Sequence, residues 1–245
     1  MSSPKSGMVG ATASPRERGR RARATEQLQR DAQLIALPVQ DLPREVTRYE
    51  RLVKPALDRV LGTVLLVVFS PVIAIVAVVV RLNLGRPILF RQIRVGRDGG
   101  PFALHKFRTM RPDRRNHPSA YRGADRRKTH KHPDDPRLTR VGRTLRKWSL
   151  DELPQLWDVV AGRLSLVGPR PELVSIVERY EPWQHRRHVV KPGLTGLWQI
   201  TARGNGEEMH EHTELDIEYA EHVSFRTDLK IMVLTLPAVL LKKGY

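Results

Sequence analysis

The sequence predicts an α+β fold: a mainly helical, monotopic membrane protein with a re-entrant helix-break-helix, a short β-hairpin and interfacial amphipathic helices. Three observations carry that expectation. Residues 60–80 are uncharged and strongly apolar, and Ser70-Pro71 interrupts them near the middle. Lys and Arg crowd both flanks, with Arg48, Arg51, Lys54 and Arg59 upstream and Arg81, Arg86, Arg91 and Arg94 downstream. Two extended runs, 87–95 and 101–110, bracket the turn Gly96-Arg97-Asp98-Gly99-Gly100, the kind of glycine-rich connection that joins hairpin strands.

As one straight helix, the apolar segment would rise roughly 30 Å, enough to cross a bilayer. Pro71 lacks an N–H and its ring crowds the carbonyl four residues back, so a kink is expected there. Ser70 can bond a carbonyl freed by that proline. Positive flanks favour the cytoplasmic side, and a spanning helix satisfies only one of the two flanks. A helix that bends at Ser70-Pro71 and returns to the same leaflet satisfies both. An ordinary single span and a buried soluble helix are the alternatives; an uncharged stretch of this length weighs against the second.

Around this segment the chain divides into a disordered basic tail (1–40), a short polar helix with the membrane helix (41–86), and a domain lying at the cytoplasmic face (87–245). The tail is rich in Ser, Ala and Arg and lacks an apolar run, so no secretory signal fits it. Residues 111–136 are dense in Arg, His, Asp and Pro without periodicity and read as a loop. Helical signals follow at 135–147, from Ser149, at 207–222 and at 228–243. The last carries an apolar run, 231–241, closed by Lys242-Lys243. It suits either a helix at the bilayer surface or a helix facing the core.

The formal net charge is +17, and the chain contains no Cys. Disulfides, thiolate nucleophiles and Cys-based zinc sites are therefore excluded. From position 105 to 147 there are fifteen Lys or Arg against four Asp, a net +11 in one window. Nucleic acid, anionic lipid and polyanionic small substrates all answer such a field. Phe107, Tyr121 and Trp148 are far apart in the sequence, so no base-stacking platform is suggested, and no helix-turn-helix or finger pattern is present. No nucleic acid is expected as a partner. His210-Glu211-His212 and His130-Lys131-His132 place each His pair on different helix faces, so neither has zincin spacing. The four Trp read as core or bilayer-interface anchors.

Ser149-Leu150-Asp151-Glu152 fits a capping box, in which Ser149 caps a helix and Glu152 returns the bond. Asp151 is not needed for that role. Pro154 favours a first-turn position, so the helix could also begin nearer Asp151. In either register two adjacent carboxylates meet backbone N–H groups and the helix dipole, and an ionised Asp there could serve as nucleophile or metal ligand. Lys106 and Arg108, two apart on an expected strand, share a face and suit phosphate oxygens. In Gly168-Pro169-Arg170-Pro171 the flanking prolines fix the backbone and mount Arg170 rigidly, as an anion site requires.

Four segments together resemble the bacterial sugar transferase family, the monotopic phosphoglycosyl transferases. They are Lys106-Phe107-Arg108-Thr109-Met110; Ser149-Leu150-Asp151-Glu152-Leu153-Pro154-Gln155-Leu156-Trp157; Ser165-Leu166-Val167-Gly168-Pro169-Arg170-Pro171; and Lys191-Pro192-Gly193-Leu194-Thr195-Gly196-Leu197-Trp198-Gln199. The resemblance runs from about Lys54 to the C-terminus and includes the Ser-Pro-broken membrane helix. With little chain before Lys54, the short, minimal form of the family is expected.

The resemblance implies transfer of a sugar-1-phosphate from a nucleotide diphosphate sugar, usually a UDP-sugar, to polyprenyl phosphate, with release of UMP. This would be the first membrane step of exopolysaccharide or glycoconjugate synthesis, at the cytoplasmic face of the inner membrane. By the same resemblance Asp151 is the nucleophile that forms a covalent phosphosugar-aspartyl enzyme. Glu152 is a metal ligand or the group that prepares the acceptor phosphate. Mg2+ would bridge Asp151, Glu152 and the phosphates. Lys106, Arg108 and Arg170 would neutralise the remaining charge, and Arg203, from its place after Gln199, is expected near the departing nucleotide. Two departures stand out: Asp158 occupies a position where Asn is common, and Thr201-Ala202-Arg203-Gly204-Asn205 replaces a usual Gly-Arg pair. The rival from another class is a non-enzymatic, membrane-tethered basic protein that binds nucleic acid or anionic lipid. Sugar identity, polyprenol length and oligomeric state, a homo-oligomer included, are encoded by none of these motifs.

Overall fold

The computed structural model describes residues 45–111, 135, 137–201 and 212–240. The tail expected over 1–40 and the loop 112–132 lie outside them. Helix α1, Lys54–Leu84, follows a π-helical turn, Tyr49–Val53, without interruption. The separate polar helix expected before the membrane segment is thus its first turns. The whole 36-residue stretch has a mean hydropathy of 3.0 in its most apolar window. It is long and apolar enough to cross a membrane.

The helix-break-helix expectation needs correction at the level of hydrogen bonding, because α1 remains helical through Pro71. Ser70 Oγ donates to the Val67 carbonyl at 2.7 Å. That carbonyl, four residues before Pro71, is the one a proline leaves without its amide partner. The serine supplies the missing donor, and the helix continues.

Both ends of α1 are fastened to the same folded body. Near its start Lys54 Nζ lies 2.6 Å from Asp228 Oδ2, and Asp58 accepts from Ser165 Oγ at 2.7 Å and from the Leu166 amide at 3.1 Å. At its end the Leu84 carbonyl accepts from Arg108. Val76 and Val80, in the second half, are buried with Phe107 and Leu145. Between these moorings Val67, Val68, Phe69, Ile75 and Val78 are exposed. An apolar midsection without protein cover is stable only against another apolar phase or partner.

The body begins with the expected hairpin. Strands β1, Leu89–Val95, and β2, Pro101–Phe107, pair antiparallel, with Leu89 opposite Phe107 and Val95 opposite Pro101. A two-residue strand, β4 (Glu172–Leu173), adds to the other edge of β1, giving the order β2-β1-β4. Helix α2, Arg140–Lys147, starts at Thr139, whose side chain accepts from the Gly142 amide. Helix α3, Gln155–Val160, packs on α1 where Gly62 leaves room; an added Cβ there would sit 2.9 Å from Val159 Cγ1. A second sheet pairs β3 (Ser165–Val167) and β5 (Gly193–Thr195) in parallel, and short helices α4 (Val174–Val177) and α5 (Leu197–Thr201) flank it in sequence.

The main core gathers Leu104, Leu156, Val159, Leu164, Leu166 and Val167 with Tyr219, Val223 and Ile231. The last three come from α6, Thr213–Glu221, α7, Phe225–Leu240, and the turn between them. The core-facing reading of the final helix holds for one of its faces. Asp228 and Ile231 are buried, whereas Leu229, Val233 and Leu236 are exposed.

Asp158, where the family resemblance leads one to expect Asn, is fully buried beneath β2. Its carboxylate accepts from the His105 amide at 2.9 Å, lies 2.7 Å from His105 Nδ1, and accepts from Arg163 Nη2 at 2.8 Å. An amide side chain could not take all of these from the same atoms, because one of its ends donates. Asp158→Asn is expected to cost about 1–3 kcal/mol. Denaturant unfolding of the two proteins side by side measures it, and an unchanged midpoint would mean that Arg163 and His105 contribute nothing.

Candidate active site

Asp151 and Glu152 sit in a single 3-10 turn, Leu150–Glu152, just before α3. The expected capping box is absent. Ser149 takes a left-handed conformation, with φ at 54°, and its side chain caps nothing there. The reason lies in the chain path: α2 ends at Trp148, and one left-handed residue reverses it directly into the next turn. A capping box does exist, between Glu181 and Gln184 at the start of the 3-10 helix Pro182–Val189.

Both carboxylates are 8% exposed, but their surroundings differ. Glu152 Oε1 accepts from Lys106 Nζ at 2.9 Å and from Arg170 Nη2 at 2.7 Å. It therefore joins β2 to the Gly-Pro-Arg-Pro turn after β3. Among the described residues, Asp151 makes neither a hydrogen bond nor an ion pair. Burial pushes its carboxyl above the ordinary range, and the neighbouring Glu152 charge adds to that; Lys106, Arg146 and Arg170 pull the other way. The helix-terminal N–H groups expected to stabilise an ionised Asp151 do not prevail. Desolvation does, leaving an electron-rich, unpartnered carboxylate beside cations.

The cations are buried as well. Desolvation lowers the Lys106 ammonium below its usual range, with Glu152 opposing and Arg170 reinforcing the shift. Burial also lowers Arg170, but Glu152, Glu172 and Asp151 outweigh it, and its guanidinium ends above the usual value. Lys106 and Arg170 thus remain the two charges that face the acidic pair.

Arg108 does not join them. It lies just past the end of β2, so the strand alternation that would align it with Lys106 stops short. Its guanidinium donates instead to the carbonyls of Leu84 and Arg86. Those groups belong to the C-terminal end of α1, where unsatisfied carbonyls and the helix dipole attract a cation. Arg203 lies outside the described residues. Residues that the sequence did not assign to the site complete it: Arg146, near Asp151, and the buried Arg94, read from the sequence only as a membrane flank, with Glu172, Arg187 and Asp216 behind Arg170. Their only sequence signal was charge.

For a magnesium ion the available donors are hard carboxylate oxygens. Asp151 carries uncommitted ones, and Glu152 adds a second carboxylate in the same turn. Mg2+ commonly takes one or two carboxylates and completes its octahedron with water and substrate phosphate, so this pair fits it. Among the described residues no group of three or more His, Cys, Asp or Glu gathers around one point.

Comparison with known proteins identifies the family. The family model described as bacterial sugar transferase matches residues 49–242. The chain is 44% identical over 193 residues to the uncharacterized sugar transferase EpsL of Bacillus subtilis (strain 168), covering 79% of this chain and 90% of that one. It is 38% identical over 199 residues to the exopolysaccharide production protein ExoY of Rhizobium meliloti (strain 1021), covering 78% and 87%. With the UDP-glucose:undecaprenyl-phosphate glucose-1-phosphate transferase of Escherichia coli (strain K12) it shares 40% identity over 207 residues, covering 82% of this chain and 42% of that one. The chain thus spans nearly all of the shorter relatives and less than half of the longer one. The residues around Asp151 and Glu152 and the extent of these matches lead to one conclusion: the chain is a transferase enzyme and belongs to the bacterial sugar transferase family.

Proposed function

We propose that this enzyme transfers a sugar-1-phosphate from a UDP-sugar to polyprenyl phosphate through a covalent intermediate on Asp151, as the first membrane step of exopolysaccharide or glycoconjugate synthesis. The observation that carries the reading is the contrast within the acidic pair. Glu152 accepts from both Lys106 and Arg170, whereas Asp151 is buried, has no partner among the described residues and is raised in pKa. A desolvated carboxylate with no hydrogen bond to break is a competent nucleophile.

A carboxylate oxygen of Asp151 attacks the phosphorus that bears the sugar. The bond from that phosphorus to the bridging oxygen breaks, and UMP leaves with the oxygen and its electron pair. A phosphate oxygen of the lipid then attacks the same phosphorus, the acyl-phosphate bond breaks, and Asp151 is regenerated beside a polyprenyl diphosphate sugar. Lys106 and Arg170 steady the non-bridging oxygens, and Glu152 fixes both cations in place. Mg2+, held by Asp151 with Glu152, would supply further neutralisation of the diphosphate. EDTA is expected to abolish activity and added Mg2+ to restore it; full activity after exhaustive chelation would remove the metal from the mechanism.

Membrane residence is supported by the length and apolar character of α1, and the proposed site is the cytoplasmic face of the inner membrane. Re-entry from one leaflet is supported by the mooring of both ends of α1 to one body. Because the chain lacks Cys, single Cys residues at Arg51 and Arg91 report topology directly. Both should react with an impermeant thiol reagent only from the cytoplasmic side; labelling from opposite sides would establish a span.

The functional test is UMP release from purified protein with a panel of UDP-sugars, polyprenyl phosphate and Mg2+. Release that requires one sugar nucleotide is expected. Folded protein that releases UMP from none of them would defeat the reading.

A further inference from the structure

The turn that presents Arg170 is unusual in what it offers its surroundings. Pro169 and Pro171 have no N–H, so the turn presents mainly carbonyls, and buried carbonyls need donors. Three consecutive ones are each met from a different part of the chain. The Pro169 carbonyl accepts from the Gly193 amide at 2.8 Å, at the start of β5. The Arg170 carbonyl accepts from Arg187 Nη2 at 2.6 Å. The Pro171 carbonyl accepts from Arg94 Nη1 at 3.2 Å, on β1.

Arg187 is the most committed of these donors. It is 1% exposed, pairs through Nη2 with Asp216, itself fully buried on α6, and donates from Nη1 to the Tyr180 hydroxyl at 2.7 Å. Two anchors on separate segments therefore hold one guanidinium, which in turn grips the backbone of the residue that contacts Glu152. A lysine could keep the Asp216 pair, but a single ammonium on a flexible stem does not reproduce a planar fork directed at three acceptors.

We infer that Arg187 is a positioning residue for transfer: through the Arg170 carbonyl it sets where the Arg170 guanidinium stands relative to Glu152 and Asp151, and Asp216 and Tyr180 hold it for that task. The inference rests on the function proposed above for Asp151, Glu152 and Arg170. Arg187 touches no reacting group itself. Its effect is carried by a backbone turn only as precise as its three donors.

Arg187→Lys tests it. Expected are a folded protein and a kcat lower by about 10–100-fold with KM little changed. Combined with Arg170→Lys, the substitution should add no further loss. Wild-type kcat in the folded fraction, or losses that multiply in the double variant, would overturn the inference and leave Arg187 a purely structural residue. Should Arg187→Lys fail to fold, Tyr180→Phe removes one anchor only; a smaller loss of kcat supports the inference, and an unchanged kcat overturns it. A readout independent of turnover is dicarbonyl labelling of arginines read by mass spectrometry. Arg170 should be protected in the wild type and labelled in Arg187→Lys while other buried arginines stay protected; continued protection of Arg170 overturns the inference. If wild-type protein released no UMP, the proposed function would fail, whereas the labelling would still decide the positioning claim.

Discussion

Asp151→Asn is expected to reduce transfer by about 1,000-fold or more while making the folded protein more stable at neutral pH. The two effects have one cause. Burial holds the Asp151 carboxyl above its ordinary pKa, so the folded state binds its proton more tightly than the unfolded chain does. Below the unfolded value that group exacts no penalty; as pH rises from there through the folded pKa, stability is lost, and above it the loss is complete. An Asn side chain of the same shape does not ionise. Thermal melts of the two proteins should therefore separate most at neutral pH and converge towards acid. An Asp151→Asn protein that melts lower than wild type at neutral pH would show that the carboxylate is held by favourable partners and is not desolvated.

Glu152→Gln should also inactivate, but with the opposite effect on stability. Removing its charge strands Lys106 and Arg170, whose side chains are 15% and 12% exposed, without their shared counter-ion. Breaking a buried charge arrangement from one side typically costs about 3–5 kcal/mol, more than the loss of an ordinary surface pair. Chemical denaturation should show that cost, and Lys106→Met on the Glu152→Gln background should recover part of it by removing one stranded cation. Loss of activity without loss of stability would mean that the two cations find other partners, and that Glu152 acts on the substrate rather than on its neighbours. Adjacent carboxylates with opposite stability signatures are the thermodynamic mark of divided labour in this pair.

Much of this site was legible in the chain because its parts are short, local and chemically unusual. The hairpin announced itself by two extended runs around a glycine-rich turn, and the Gly-Pro-Arg-Pro turn by prolines that leave the backbone little freedom. Asp151 stood out because a capping box has no use for it. What could not be read were facts of approach. The three-residue strands β3 and β5 carry no periodicity long enough to detect, and they are paired only because Gly168 and Gly193 let their backbones touch. Arg108 looked equivalent to Lys106 until the strand ended one residue before it. Arg94, Arg187 and Asp216 come from segments distant in sequence, and nothing in their neighbourhoods separated them from the many solvated charges of a chain with 43 Lys and Arg. The capping box failed for a related reason: the pattern is local, but whether Ser149 caps depends on where α2 delivers the chain.

The membrane segment illustrates the same division. Ser70-Pro71 was rightly marked as a special point, yet the local outcome is a repaired helix, with Ser70 returning the bond that Pro71 removes. The ends of α1 are held to the body through Lys54 with Asp228 and Arg108 with the Leu84 carbonyl, contacts between residues far apart in the chain.

The most direct test of the proposed chemistry is to incubate the purified enzyme with Mg2+ and a UDP-sugar labelled in both the sugar and the β-phosphate, without lipid acceptor, and to locate the label by peptide mass spectrometry after a rapid acid quench. The proposed mechanism predicts one sugar-phosphate adduct on the peptide carrying Asp151, formed with stoichiometric UMP, discharged by polyprenyl phosphate and absent from Asp151→Asn. Active enzyme that releases UMP only when the acceptor is present, with no adduct or with one on another residue, would contradict it.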